Sequence, residues 1–108
     1  MSARVLLTDG AAHDLDEAYA RAYAEGGPPE ADRFLDRIED ALAGLAAHPG
    51  DGVPLPALLA LGRRDGLERR TGPWRWIYRH AGDEVHVVAL AHEARTMQAL
   101  LTRRLLDA

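Results

Sequence analysis

At 108 residues, 47% of them hydrophobic and 28% charged, the chain has the length and composition of one folded domain rather than a disordered segment. It has no cysteine, which excludes disulfides and thiolate metal sites, and no apolar run near the roughly 20 residues of a membrane span. Residues 1–62 carry four Arg against eleven acids, residues 63–108 nine Arg against six, and no basic residue is Lys. An acidic front and a basic back half suit two faces with different partners, although uneven scatter in a small protein would look the same. The N-terminus lacks a basic region followed by an apolar stretch, so a cytoplasmic protein is expected.

Residues 3–8 read as a strand, and Thr8-Asp9-Gly10 offers a turn and a helix cap. From Ala12 onward, Leu15, Ala18, Tyr19, Ala22 and Tyr23 recur at helical spacing. Gly26-Gly27-Pro28-Pro29 stops that helix and starts another, whose apolar face is Ala31, Phe34, Leu35, Ile38, Leu42 and Leu45. Helices are therefore expected at about 10–26 and 29–48, forming an antiparallel hairpin. Residues 49–65 are rich in Pro and Gly and read as irregular. Strands follow at 66–71, 74–81 and 84–92, the last two joined by a turn at Ala81-Gly82-Asp83. Both faces of 84–92 are apolar, which places that strand centrally. A helix from about Ala94 to Leu106 closes the chain. The expected fold is a single α+β domain, 1–108, ordered β-α-α-β-β-β-α, with the hairpin packed on a mostly antiparallel four-stranded sheet.

Trp74-Arg75-Trp76-Ile77-Tyr78-Arg79, a hairpin, and then Val85-His86-Val87-Val88-Ala89-Leu90-Ala91-His92-Glu93-Ala94-Arg95 resemble the RelE/ParE toxin superfamily. Leu6-Thr8, Ala11 to Tyr19 and Phe34-Leu35 to Leu45 agree with it, so the likeness spans nearly the whole chain. The resemblance implies the toxin of a type II toxin–antitoxin pair, acting either as a ribosome-dependent mRNA nuclease (RelE-like) or as a poison of DNA gyrase (ParE-like). RelE-like nucleases carry several basic residues, often Lys, on the second strand and a Tyr or other proton-transfer residue near the C-terminus. Here the segment from Arg95 has Met97, Leu100 and Leu101 and no Tyr. The expectation is therefore ParE-like: gyrase inhibition by binding, with neutralisation in a hetero-oligomer by a ribbon-helix-helix, ParD-like antitoxin. The alternatives are a RelE-like endoribonuclease and a plain interaction module.

Metal-free RNA cleavage needs a base, an acid and positive charge on the phosphate. Arg stays protonated and cannot move protons, so a nuclease reading must rest on His80 or His92 with Arg75, whereas a binding toxin has no catalytic residue. His86 and His92 share a sheet face by even spacing but stand about 20 Å apart along a strand, too far for one metal ion. No metal or cofactor is expected. Trp74, Trp76 and Tyr78 read as core under the helices, with nucleobase stacking as the alternative. Arg69, Arg70, Arg75, Arg79, Arg95, Arg103 and Arg104 are the candidates for target contact. Leu58, Leu59, Leu61, Leu101 and Leu105 form an apolar surplus that an antitoxin helix or strand could cover, unless they close the bottom of the core.

Overall fold

The computed structural model describes residues 2–60, 62, 64–93 and 104. Strand β1 (Arg4–Leu7) leads through Thr8 into helix α1 (Asp9–Ala47). A 3-10 turn (Pro49–Asp51), strand β2 (Val53–Pro54) and a one-turn helix α2 (Pro56–Leu59) come next. Strands β3 (Gly66–Thr71), β4 (Trp74–Ala81) and β5 (Glu84–His92) complete a five-stranded sheet in the order β1-β5-β4-β3-β2. β1 runs parallel to β5, and the other pairings are antiparallel. Among the described residues, no helix is long and apolar enough to cross a membrane.

This corrects the expected helical hairpin on a mostly antiparallel four-stranded sheet. The sheet is mixed and has five strands. Its extra member is the two-residue β2, hidden in sequence by prolines; Pro54 fits there because an outer strand can lack one N–H without breaking a ladder. The helices expected at 10–26 and 29–48 are one helical element of 39 residues. No loop separates them, because Gly27 alone leaves helical geometry, at φ 68 and ψ −162. Pro28 and Pro29 follow at the start of the second arm, where a missing N–H costs little and the fixed φ suits a helix. A straight 39-residue helix would be about 58 Å long. Instead the far end comes back beside β1, where Ala46 O accepts from Ala3 N at 2.7 Å. The expected helix over 94–106 lies outside the described residues.

The core sits on both faces of β5. On one face Val85, Val87 and Leu90, with Trp76 and Tyr78 of β4, meet Ala11 and Ala18 of the first arm and Phe34, Ile38, Ala41 and Leu45 of the second. The second arm's spacing of three and four residues keeps its large side chains on one stripe, and burying one such side chain fully is worth about 1.5–3 kcal/mol. On the other face Val88, Ala89 and Ala91 pack with Ile77 and Leu55. A bulge makes this possible: Ile77 opposes Ala89 and Tyr78 opposes Val87, so Val88 is an extra residue in β5.

Where β1 ends, α1 finishes the edge of β5. Thr8 caps α1 by accepting from Ala11 N (3.2 Å), and its own N–H donates to Val87 O (3.0 Å). One turn on, the Asp14 carboxylate accepts from Leu90 N (3.0 Å) and pairs with Arg104.

The backbone at Gly27 lies in a region essentially reserved for glycine. Gly27→Ala should destabilise the protein by about 1–3 kcal/mol in urea unfolding. Gly50→Ala, where an added Cβ meets nothing within 4 Å, should change stability by less than about 0.5 kcal/mol.

Candidate functional site

Strand register decides where each candidate arginine points. Leu67 and Arg69 oppose Tyr78 and Trp76, so they lie on the sheet face covered by α1. Glu68 and Arg70 oppose Ile77 and Arg75 on the other, outer face. Arg69 accordingly reaches the last turn of α1, where its Nη1 donates to Gly44 O (2.9 Å) and His48 O (3.3 Å). Those carbonyls sit at the negative end of the helix dipole, where Gly44 O also accepts from His48 N and His48 O from Asp51 N. Arg69 thus adds a charged side-chain cap to a helix end that the backbone already closes. On the outer face Arg70 and Arg75 stand directly across from each other, a repulsive arrangement unless each finds an acid. Arg75 pairs with Glu68, both side chains being less than a fifth exposed, and Arg70 lies 3.6 Å from Glu93 in open solvent. Arg79 is 3.5 Å from Asp65, and Arg104 pairs with Asp14. Every described candidate arginine thus has an acid or a helix terminus of the same chain beside it. Arg95 and Arg103 lie outside the described residues.

The residues named for a nuclease do not meet. His80 is exposed at the β4–β5 turn, with Nε2 3.0 Å from Gly82 O. His92 opposes Trp74 at the other end of the same strand pair, six residues or about 20 Å away. Arg75 opposes Ala91 and so lies on the face away from His92. His86 and His92 do not share a face either, because the extra residue Val88 reverses the alternation between them. Among the described residues, no three His, Asp or Glu side chains gather as metal ligands. Of the candidate leucines, Leu59 is exposed, Leu58 lies within α2, and Leu61, Leu101 and Leu105 fall outside the described residues.

The aromatic stripe divides. Trp76 and Tyr78 are fully buried, with Trp76 Nε1 donating to Thr71 Oγ1 (2.8 Å) and the Tyr78 hydroxyl donating to Pro49 O (3.0 Å). Burial pushes the Tyr78 phenol above its ordinary value, against a smaller opposing influence of Arg69. Trp74 is only partly buried. It makes edge-to-face contacts with Phe34 (5.7 Å between centroids) and with His92 (5.4 Å).

These three rings stand at one end of a cleft of about 440 Å³ between the arms of α1 and the sheet. Ala18, Ala22 and Pro73 add apolar wall. The charged lining is Arg21 and Glu25 from the first arm and Glu30 and Arg37 from the second. Arg33 holds Glu30 through a 2.7 Å hydrogen bond, which lowers that carboxyl's pKa, with Arg37 a lesser influence. Arg21 and Arg37 have no carboxylate within ion-pair distance among the described residues. Sequence reading missed this site. Arg21, Phe34, Arg37, Trp74 and His92 come together only because α1 folds at Gly27, and no motif spacing records that.

Arg69→Ala should cost about 1–2 kcal/mol, the scale of hydrogen bonds to a charged donor lost at a helix end. Arg70→Ala, removing an exposed ion pair, should stay within about 0.5 kcal/mol in the same unfolding series. A phenol whose pKa is raised by folding contributes stability that is complete below its ordinary value of 10.0 and is lost as pH rises through the folded value. Tyr78→Phe should therefore flatten the decline of stability above pH 10.0, measured by denaturation at a series of alkaline pH values.

A family model described as the ParE toxin of the type II toxin–antitoxin system parDE matches residues 5–97. Among solved structures, a chromosomal ParDE system from P. aeruginosa is similar at 21% identity and a TM-score of 0.67, covering 84% of this chain and 96% of that one. A RelBE toxin–antitoxin complex from Mycobacterium tuberculosis is similar at 23% identity and a TM-score of 0.62, covering 85% and 99%. No curated protein sequence matches the chain significantly.

Proposed function

The chain belongs to the ParE toxin family of type II toxin–antitoxin systems, and from that premise we propose that it inhibits DNA gyrase by binding it, in the cytoplasm, and is neutralised by a ParD-like antitoxin. The family match over residues 5–97 carries this reading. The dispersal of the nuclease candidates supports it. His80 and His92 stand at opposite ends of a strand pair, Arg75 lies on the far face from His92, and the buried Tyr78 hydroxyl is committed to Pro49 O. Proton transfer to RNA at one phosphate needs an acid and a base within about 3 Å of it, and these groups cannot supply both there.

Target contact in this reading falls to the outer sheet face, where Arg70 is the most accessible of the described candidate arginines at 58% side-chain exposure. Arg75 and Arg79 are already paired with Glu68 and Asp65, so they would engage an acidic partner only by exchanging one carboxylate for another. Such contacts weaken with salt.

The experiment is a pair of assays with purified toxin. Loss of gyrase supercoiling at micromolar toxin, relieved by raised salt and by an equimolar ParD-like antitoxin, is the expected result. Codon-register cuts in mRNA on translating ribosomes, with supercoiling untouched, would overturn the reading.

A further inference from the structure

We infer that the cleft between the arms of α1 is a docking site for the antitoxin. It accepts a large apolar side chain of the antitoxin's C-terminal segment with a neighbouring carboxylate on Arg21 and Arg37. The inference rests on the toxin–antitoxin reading above and adds the place and chemistry of the contact.

The floor comes first. Trp74 and Phe34 meet edge to face, and Ala18 and Ala22 present small side chains from the first arm, leaving about 440 Å³ of space with apolar walls. That volume is in the range of pockets that bury a ligand's surface. A partly buried Trp flanked by arginines is the composition in which single anchor residues carry most of an interface's binding energy.

Charge then selects the occupant. Of the two acids in the lining, Glu30 is already held by Arg33 at 2.7 Å. Arg21 and Arg37 approach the cleft from opposite arms, with no carboxylate at ion-pair distance among the described residues. Glu25 and Glu30 share the lining without reaching ion-pair distance of Arg21 or Arg37. An apolar anchor alone would therefore leave both guanidinium groups without a close partner, whereas an adjacent Asp or Glu would supply one. Geometry argues against nucleic acid, because Trp74 is already engaged edge to face by Phe34 and His92. The contact suits the antitoxin better than gyrase, because a long-lived complex favours an aromatic, water-excluding pocket over a rim of solvated ion pairs.

The test uses the full-length toxin, produced with the full-length antitoxin encoded by the neighbouring reading frame and then separated from it. Affinity is measured by titration calorimetry with that antitoxin and with a synthetic peptide of its C-terminal half. Two toxin variants probe independent features. The double charge reversal Arg21→Glu/Arg37→Glu removes the cations, and Ala22→Trp fills the space. Arg21 and Arg37 are exposed and Ala22 is partly buried against the core, so circular dichroism checks that each variant folds. Each variant should weaken binding at least 30-fold, and binding to the wild type should shift the fluorescence of Trp74, a shift that Trp74→Phe abolishes. Exchanging the antitoxin's acidic residue beside the anchor for Arg should restore affinity toward the double reversal. If folded variants bind within threefold of the wild type, the cleft is not the site and the proposal falls while the toxin–antitoxin reading stands. Failure of the wild type itself to bind the antitoxin overturns both. Loss of gyrase inhibition with antitoxin affinity unchanged also overturns the proposal, because the cleft then serves the target.

Discussion

The bulge at Val88 governs how β5 can hold the fold together. A regular strand alternates its side chains, so it could not offer Val87 to α1 and both Val88 and Ala89 to the outer face. With one extra residue, β5 feeds two packed layers, and the parity of everything after it is reversed. Leu90 and His92 then return to the α1 face, where His92 meets Trp74. The edge of β5 is also managed from the helix side. β1 pairs only with Glu84–Val87, and beyond that point Thr8 and Asp14 take the places that a longer strand would fill. Asp14 Oδ2 accepts the strand N–H of Leu90 and the Arg104 guanidinium together, and these two donors offset the cost of a side-chain exposure of only 14%.

Much of the local structure was legible. The two-sided apolar pattern of 84–92 placed that strand inside the sheet, and alternation over 74–81 identified Trp76 and Tyr78 as core, because burial leaves a periodic trace. Topology left none. β1 looks the same in sequence whether its partner runs parallel or antiparallel, and a two-residue strand in a Pro-Gly segment has no period to detect. The apolar spacing on either side of Gly26-Gly27-Pro28-Pro29 marked helix, but it assigned the exposed Tyr19, Tyr23 and Leu35 to the core stripes. It also split one helical element in two, because a single residue making the turn leaves no periodic trace. A bulge is equally silent, so even spacing assigned His86 and His92 to one face when they lie on two.

The arginines show why composition alone misjudges a surface. Nine of the thirteen lie in residues 63–108, and that excess suggested a free cationic face. Register converts it into something else. Arg69 falls on the α1 side and finishes a helix terminus, and Arg75 is forced onto Glu68 by its like-charged neighbour Arg70. Desolvation makes this pairing compulsory for the less exposed members, since a guanidinium less than a fifth exposed is costly without an acid. Only the exposed positions keep charge that a partner can use.

The sheet therefore separates two surfaces, and this constrains how one partner can affect the other. An occupant of the cleft meets Arg21 and Arg37 but has the thickness of the sheet between it and Arg75 or Arg79. Steric blocking of those outer arginines from inside the cleft is thus excluded by position. The two surfaces adjoin at the β3–β4 turn and the end of β5. Pro73 and His92 line the cleft, Pro73 O accepts from Glu93 N at 2.8 Å, and the Glu93 carboxylate is the partner of Arg70 on the outer face. A segment leaving the cleft past Pro73 heads toward Glu93 and its partner Arg70. The Arg70–Glu93 ion pair is itself largely exposed, and so weak. A single chain that both fills the cleft and masks the outer face has its route there, where Pro73, Glu93 and Arg70 link the two surfaces.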